Sequence, residues 1–171
     1  MINVLLIGSM LLFLAAVLVV GARGFADKFE SLDDLSSRVK PVNVEALRNL
    51  LDPVQDDYLA QHLAVGDLRW VRRSRNLVAI EYVWRIAGNA AKAIRVAELA
   101  SKSRSPEITS AAIRISNDAL HTRLIALKTI SILVVGIVFP GPPLRVPLVQ
   151  QYTSLNTEIY LLRETTRSHS I

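Results

Sequence analysis

Residues 2 to 22, INVLLIGSMLLFLAAVLVVGA, contain no charged side chain, and of these 21 residues 13 are Leu, Ile, Val or Phe. At 1.5 Å per residue such a run spans about 30 Å as a helix, the thickness of a bilayer's hydrocarbon core. In lipid, backbone polar groups must be satisfied within the segment, so the run is expected to be a single transmembrane helix. A cleaved signal peptide fits less well. No Lys or Arg precedes the apolar run, and the run exceeds the usual length of a signal core. The first positive charges, Arg23 and Lys28, follow the segment. The positive-inside tendency then places the C-terminal domain in the cytoplasm of a single-pass cell-membrane protein.

The remainder divides into a juxtamembrane connector at 24–41, a helical bundle domain at 42–166 and a frayed tail at 167–171. In the connector, Phe25, Phe29, Leu32 and Leu35 recur at helical spacing until Pro41. Asn43 is placed to cap a short helix ending near Leu51. Asp52-Pro53 is a favoured cap and first-turn pair for a second, ending near Leu63. A long helix is expected from Asp67 to about Lys102. Leu77, Ile80, Trp84, Ala87, Ala91 and Ile94 offer its apolar row, and Glu81–Arg85 and Glu98–Lys102 its exposed ion pairs. Ser105-Pro106-Glu107 starts another helix that the proline cluster after Phe139 stops. A last helix is expected from about 146 to 165.

No segment alternates with strand periodicity, so the fold class is all-α. The bundle is built on an antiparallel hairpin of about 67–103 and 106–139 with a C-terminal helix against it. Folding the hairpin at its turn sets Trp84 opposite Ile125, Ala91 near Ala119 and Trp70 level with Phe139. The small residues Gly88, Ala90, Ala91, Ala111, Ala112 and Ala119 gather toward the turn and permit close approach. The apolar stretch 129–139 is too short to span a membrane before the prolines; it is expected in the core, with a dip into the membrane interface as the alternative.

Chemistry is sparse. The chain has no Cys, which removes disulfides and thiolate sites. Its three histidines lie far apart; Asp118 and His121 are one turn apart but have no third ligand in view, so no metal is expected. Asp56 and Asp57, being adjacent, point to different faces and read as solvated. No phosphate loop or nucleophile elbow is present. No catalytic activity, catalytic residue or cofactor is therefore expected.

The net charge is +5 and the mean hydropathy +0.33. A basic balance suits anionic lipid or nucleic acid, but no groove-reading motif supports the latter, so nucleic acid is not an expected partner. Arg69, Trp70, Arg72, Arg73 and Arg75 form a candidate anionic-lipid contact. The competing reading pairs these arginines with the acidic stretch 27–57, which carries eight acids against four bases. Leu148, Tyr152, Leu155, Ile159 and Leu162 form a candidate partner-facing seam for another protein or a second copy; sealing the hairpin core is its plainer role. The functional expectation is a membrane-anchored interaction or structural protein. The alternative is a bundle that holds a lipid or apolar ligand near Trp70, Val134 and Phe139.

Overall fold

Three of the five described helices start at a side-chain cap. The computed structural model describes residues 40–102, 105–141 and 147–168, with side chains as far as Leu161. The expected anchor at 1–23, the connector up to residue 39 and the last three tail residues lie outside the described residues. Helix α1 is Val44–Leu50, and the Asn43 side chain accepts a hydrogen bond from the Ala46 amide at 2.9 Å. Helix α2 is Pro53–His62, with Asp52 accepting from the Val54 amide at 3.0 Å. Helix α3 is Val65–Ala100 and α4 is Pro106–Val138, the latter capped by Ser105 accepting from the Ile108 amide. Helix α5 is Leu148–Ser168, which continues through residues expected to fray. These five helices, with no strand among the described residues, make the chain all-α.

One start departs from expectation. Helix α3 begins at Val65 without a side-chain cap, and Asp67 sits inside its first turn, where an acid still favours the positive end of the helix dipole. Gly66 is thereby helical rather than a stop.

Helices α3 and α4 form the antiparallel hairpin. Thr109 reaches the Ser101 carbonyl at the tip, and Arg73 reaches the Ile137 carbonyl at the base. The face that α3 buries differs from the expected one. The buried row is Ala79, Val83, Ile86, Ala90, Ala93, Ala97 and Ala100, spaced four and three alternately; of the expected row Ala87 is buried, Ile80, Trp84 and Ile94 pack at the edge of the core, and Leu77 is 58% exposed. Alanines have little side chain to advertise a face, so the bulkier neighbouring row of Leu77, Ile80 and Trp84 misleads. The buried row of α4 matches it in period: Ile108, Ala112, Ile115, Ala119, Thr122, Ala126, Thr129 and Leu133. This is the packing of a heptad seam. Thr122 and Thr129 donate their hydroxyls to the carbonyls of Asp118 and Ile125, each at 2.8 Å, so both enter the seam satisfied.

Helix α5 closes the hairpin with the row expected of it. Leu148, Tyr152 and Leu155 are buried, and Ile159 packs on the tip cluster. Of the expected ion pairs, Glu81–Arg85 forms, while Glu98 pairs with Arg95 one turn back. Within 129–139, Thr129, Ile130 and Leu133 are in the core, whereas Val138 and Phe139 are exposed. Among the described helices α4 alone is long and apolar enough to cross a membrane, and 33% of its most apolar window is buried inside the bundle.

Candidate functional site

The chain enters the bundle through a clamp. Asn89 on α3 is 6% exposed, and its amide meets both backbone groups of Lys40. The Lys40 amide donates to Asn89 Oδ1 at 3.1 Å, and Asn89 Nδ2 donates to the Lys40 carbonyl at 2.8 Å. The same Nδ2 donates to the Tyr152 hydroxyl on α5 at 2.8 Å. One buried amide thus joins α3, α5 and the segment arriving from residues 1–39. Nothing in the sequence marked Asn89, because a single polar residue within a helix is ordinary on a solvated face. Only the tertiary fold turns it inward.

The arginine cluster at the base divides. Arg72 makes a two-pronged pair with Asp56, Nε to Oδ1 at 3.0 Å and Nη2 to Oδ2 at 2.6 Å. That hydrogen bond, before any other influence, holds the Arg72 guanidinium above its ordinary pKa. Asp56 is only 2% exposed, which corrects the expectation that it is solvated. Its own i+16 partner removes the cost of burial that a lone carboxylate would meet. Arg75 donates to the carbonyls of Asn49 at 2.7 Å and Leu50 at 3.0 Å, closing the C-terminus of α1. Arg73 donates to the Ile137 carbonyl at 3.0 Å, in the last turn of α4. Three of the four arginines are therefore committed within the fold, but only Arg72 pairs with a carboxylate of the stretch 27–57; Arg73 and Arg75 bond backbone carbonyls instead. Arg69 is exposed, and Trp70 is 70% exposed.

A second polar cluster joins α4 and α5. Glu158 Oε1 lies 3.6 Å from Arg114 Nε, and Oε2 is buried without a hydrogen-bond partner. Burial, then the neighbouring Asp118 carboxyl, pushes the Glu158 carboxyl above the usual range, against the pull of Arg114. His121 is exposed and takes no part. Among the described residues no three metal-ligating side chains converge.

The remaining expected sites fare differently. Leu148, Tyr152 and Leu155 face inward, so the proposed partner seam is the seal on the hairpin; the side chain of Leu162 lies outside the described set. Trp70 and Phe139 stand 70% and 67% exposed with Val134 half-buried, so they do not enclose an interior space. A shallow groove of about 640 Å³ lies instead between α1 and α5, beside Arg48, Val149, Thr153 and Thr157. The surface it offers is mostly apolar although Thr153, Ser154 and Thr157 contribute to it, and it is an open groove rather than an enclosed ligand cleft. No family model, curated protein or solved structure matches the chain.

Proposed function

We propose that this chain is a membrane-anchored helical interaction or structural protein without catalytic activity. The apolar segment 2–22 is read as its anchor and the bundle as a domain at the cytoplasmic membrane surface. The observation that carries this reading is the Asn89 clamp on Lys40. A domain merely tethered by its anchor needs no buried side chain to grip the tether. Here Lys40, the first described residue after the proposed anchor, is fastened to the middle of the hairpin, which limits the chain free between anchor and bundle to residues 23–39. A scaffold benefits from such a limit, whereas a soluble binding module on a loose leash does not need it. The alternative, an apolar ligand held near Trp70, Val134 and Phe139, draws no support from side chains that stand at the surface.

Crosslinking followed by mass spectrometry of the full chain in native membranes tests the proposal. The expected result is a chain that resists carbonate extraction and gives reproducible crosslinks from the bundle to a protein or to a second copy. A chain released by carbonate, or one that stays anchored but crosslinks to nothing, overturns it.

A further inference from the structure

The base of the hairpin presents large apolar side chains to solvent: Val65, Trp70, Val138 and Phe139 are 51–70% exposed there, while Ile113, Leu124 and Leu161 are comparably exposed elsewhere on the bundle. Helix α2 sharpens the point. Its only fully buried side chain is Asp56, held by Arg72. Val54 and Tyr58, one turn apart on the opposite side of the helix, are 71% and 62% exposed. The helix thus turns a carboxylate toward the protein and leaves Val54 and Tyr58 exposed among Gln55, Asp57 and Gln61, with Leu59 half-buried. It lacks the inward apolar row of a helix packed on a soluble domain.

We infer that this base, the elbow of α2 and α3 with the end of α4, docks on the surface of the lipid bilayer. The inference rests on the anchor proposed above. Tyr and Trp are the side chains that settle at the headgroup boundary, with ring inward and polar tip outward. Chain length permits the placement. Asn89 lies 24 helical residues from Val65, about 36 Å along α3, and the 17 residues 23–39 can reach at most about 60 Å. A base-down bundle is therefore within reach of its own anchor. Charge specifies the lipid. The elbow carries Asp52, Asp56, Asp57 and Asp67 against Arg69, Arg72, Arg73 and Arg75. With the signs balanced, docking is driven by apolar and interfacial burial and does not require anionic headgroups.

The chain has two tryptophans, Trp70 at the base and Trp84 within the hairpin. The full chain carrying Trp84→Phe is reconstituted into phosphatidylcholine vesicles with brominated acyl chains, with and without anionic lipid. Flotation with the vesicles reads the anchor, and quenching of Trp70 reads the docking. The expected result is flotation with about twofold or greater quenching of Trp70 in both lipids. Trp84 in a Trp70→Phe chain, and a tip reporter made by Leu99→Trp without the native tryptophans, should stay bright. A chain that floats while Trp70 is quenched no more than the tip reporter overturns the docking and leaves the anchor standing. A chain that does not float removes the anchor, and the docking with it. Quenching only in anionic vesicles overturns docking by apolar burial.

Discussion

The two ends of the hairpin share one heptad seam and solve it differently. At the tip, Ala90, Ala93, Ala97 and Ala100 meet Ala112 and Ala119, with Ile108, Ile115 and Leu155 filling the margins. Small side chains let the two helices approach closely, and their packing comes from backbone proximity. At the middle and base, Val83, Ile86, Leu127, Ile130 and Leu133 are larger, and Leu47, Leu148 and Tyr152 arrive from other helices to fill the added space. Polar fastenings then appear where the apolar seam ends: Arg73 on α4, Arg75 on α1 and Arg72 on α2. The tip is specified by what it leaves out. The base is specified by what it recruits.

The contrast predicts opposite tolerances to size. Truncation should hurt most where large residues fill shared space. Ile130→Ala, at a residue 2% exposed, is expected to cost about 2–5 kcal/mol in a denaturant melt. A loss below about 1 kcal/mol would mean that α5 and α1 collapse into the cavity, and that the base is less closely packed than described. Enlargement should hurt at the tip. Ala119→Leu, at a fully buried residue, is expected to cost about 1–3 kcal/mol. The same change at exposed Ala60 should be close to neutral. If both were neutral, the close approach of α3 and α4 would be in doubt.

The fastenings rank below the seam. Asn89→Ala removes three hydrogen bonds and strands the backbone of Lys40, at a cost of about 1–3 kcal/mol. Amide exchange should quicken at Lys40 before it does in α3. Asp56→Ala should act locally. Because α2 buries no apolar side chain fully, losing Asp56 should free α2 and let Arg72 return to water. Global melting is then expected to shift by under about 1 kcal/mol while the amides of 53–62 lose protection, which hydrogen exchange would report. A large global loss would show that Arg72 is trapped.

The smallest effect expected belongs to Glu158. Its folded carboxyl titrates above its unfolded one, through burial first and the neighbouring Asp118 carboxyl second. The folded chain therefore holds that proton longer. Its stabilising contribution is complete below the ordinary carboxylate range and is lost as pH rises through the raised value. Glu158→Gln should flatten this part of the melting profile and leave the bundle slightly more stable at neutral pH. An unchanged slope would assign the pH dependence to other groups.

Helix boundaries were legible wherever a cap announced them. Asn43, Asp52-Pro53 and Ser105-Pro106 carry the starts of α1, α2 and α4 in two or three residues each. The row from Leu148 to Ile159 was legible because its members are large and evenly spaced. The buried face of α3 was not, because hydrophobic periodicity weighs bulk and this seam is built of alanine. Asp56 and Arg72 were both visible, but sixteen residues and a helical elbow separate them, and no local pattern joins such a pair.

The sequence by itself determined that the chain is helical, where its main turns fall and which segment is apolar enough for a membrane. These follow from caps, prolines and charge distribution, all local quantities. Tertiary structure alone decided which stripe of α3 is buried, that Asn89 grips the incoming chain and that three arginines are committed to the fold. Each depends on a partner distant in sequence, and whether a polar or small side chain is buried is settled by what the fold brings against it.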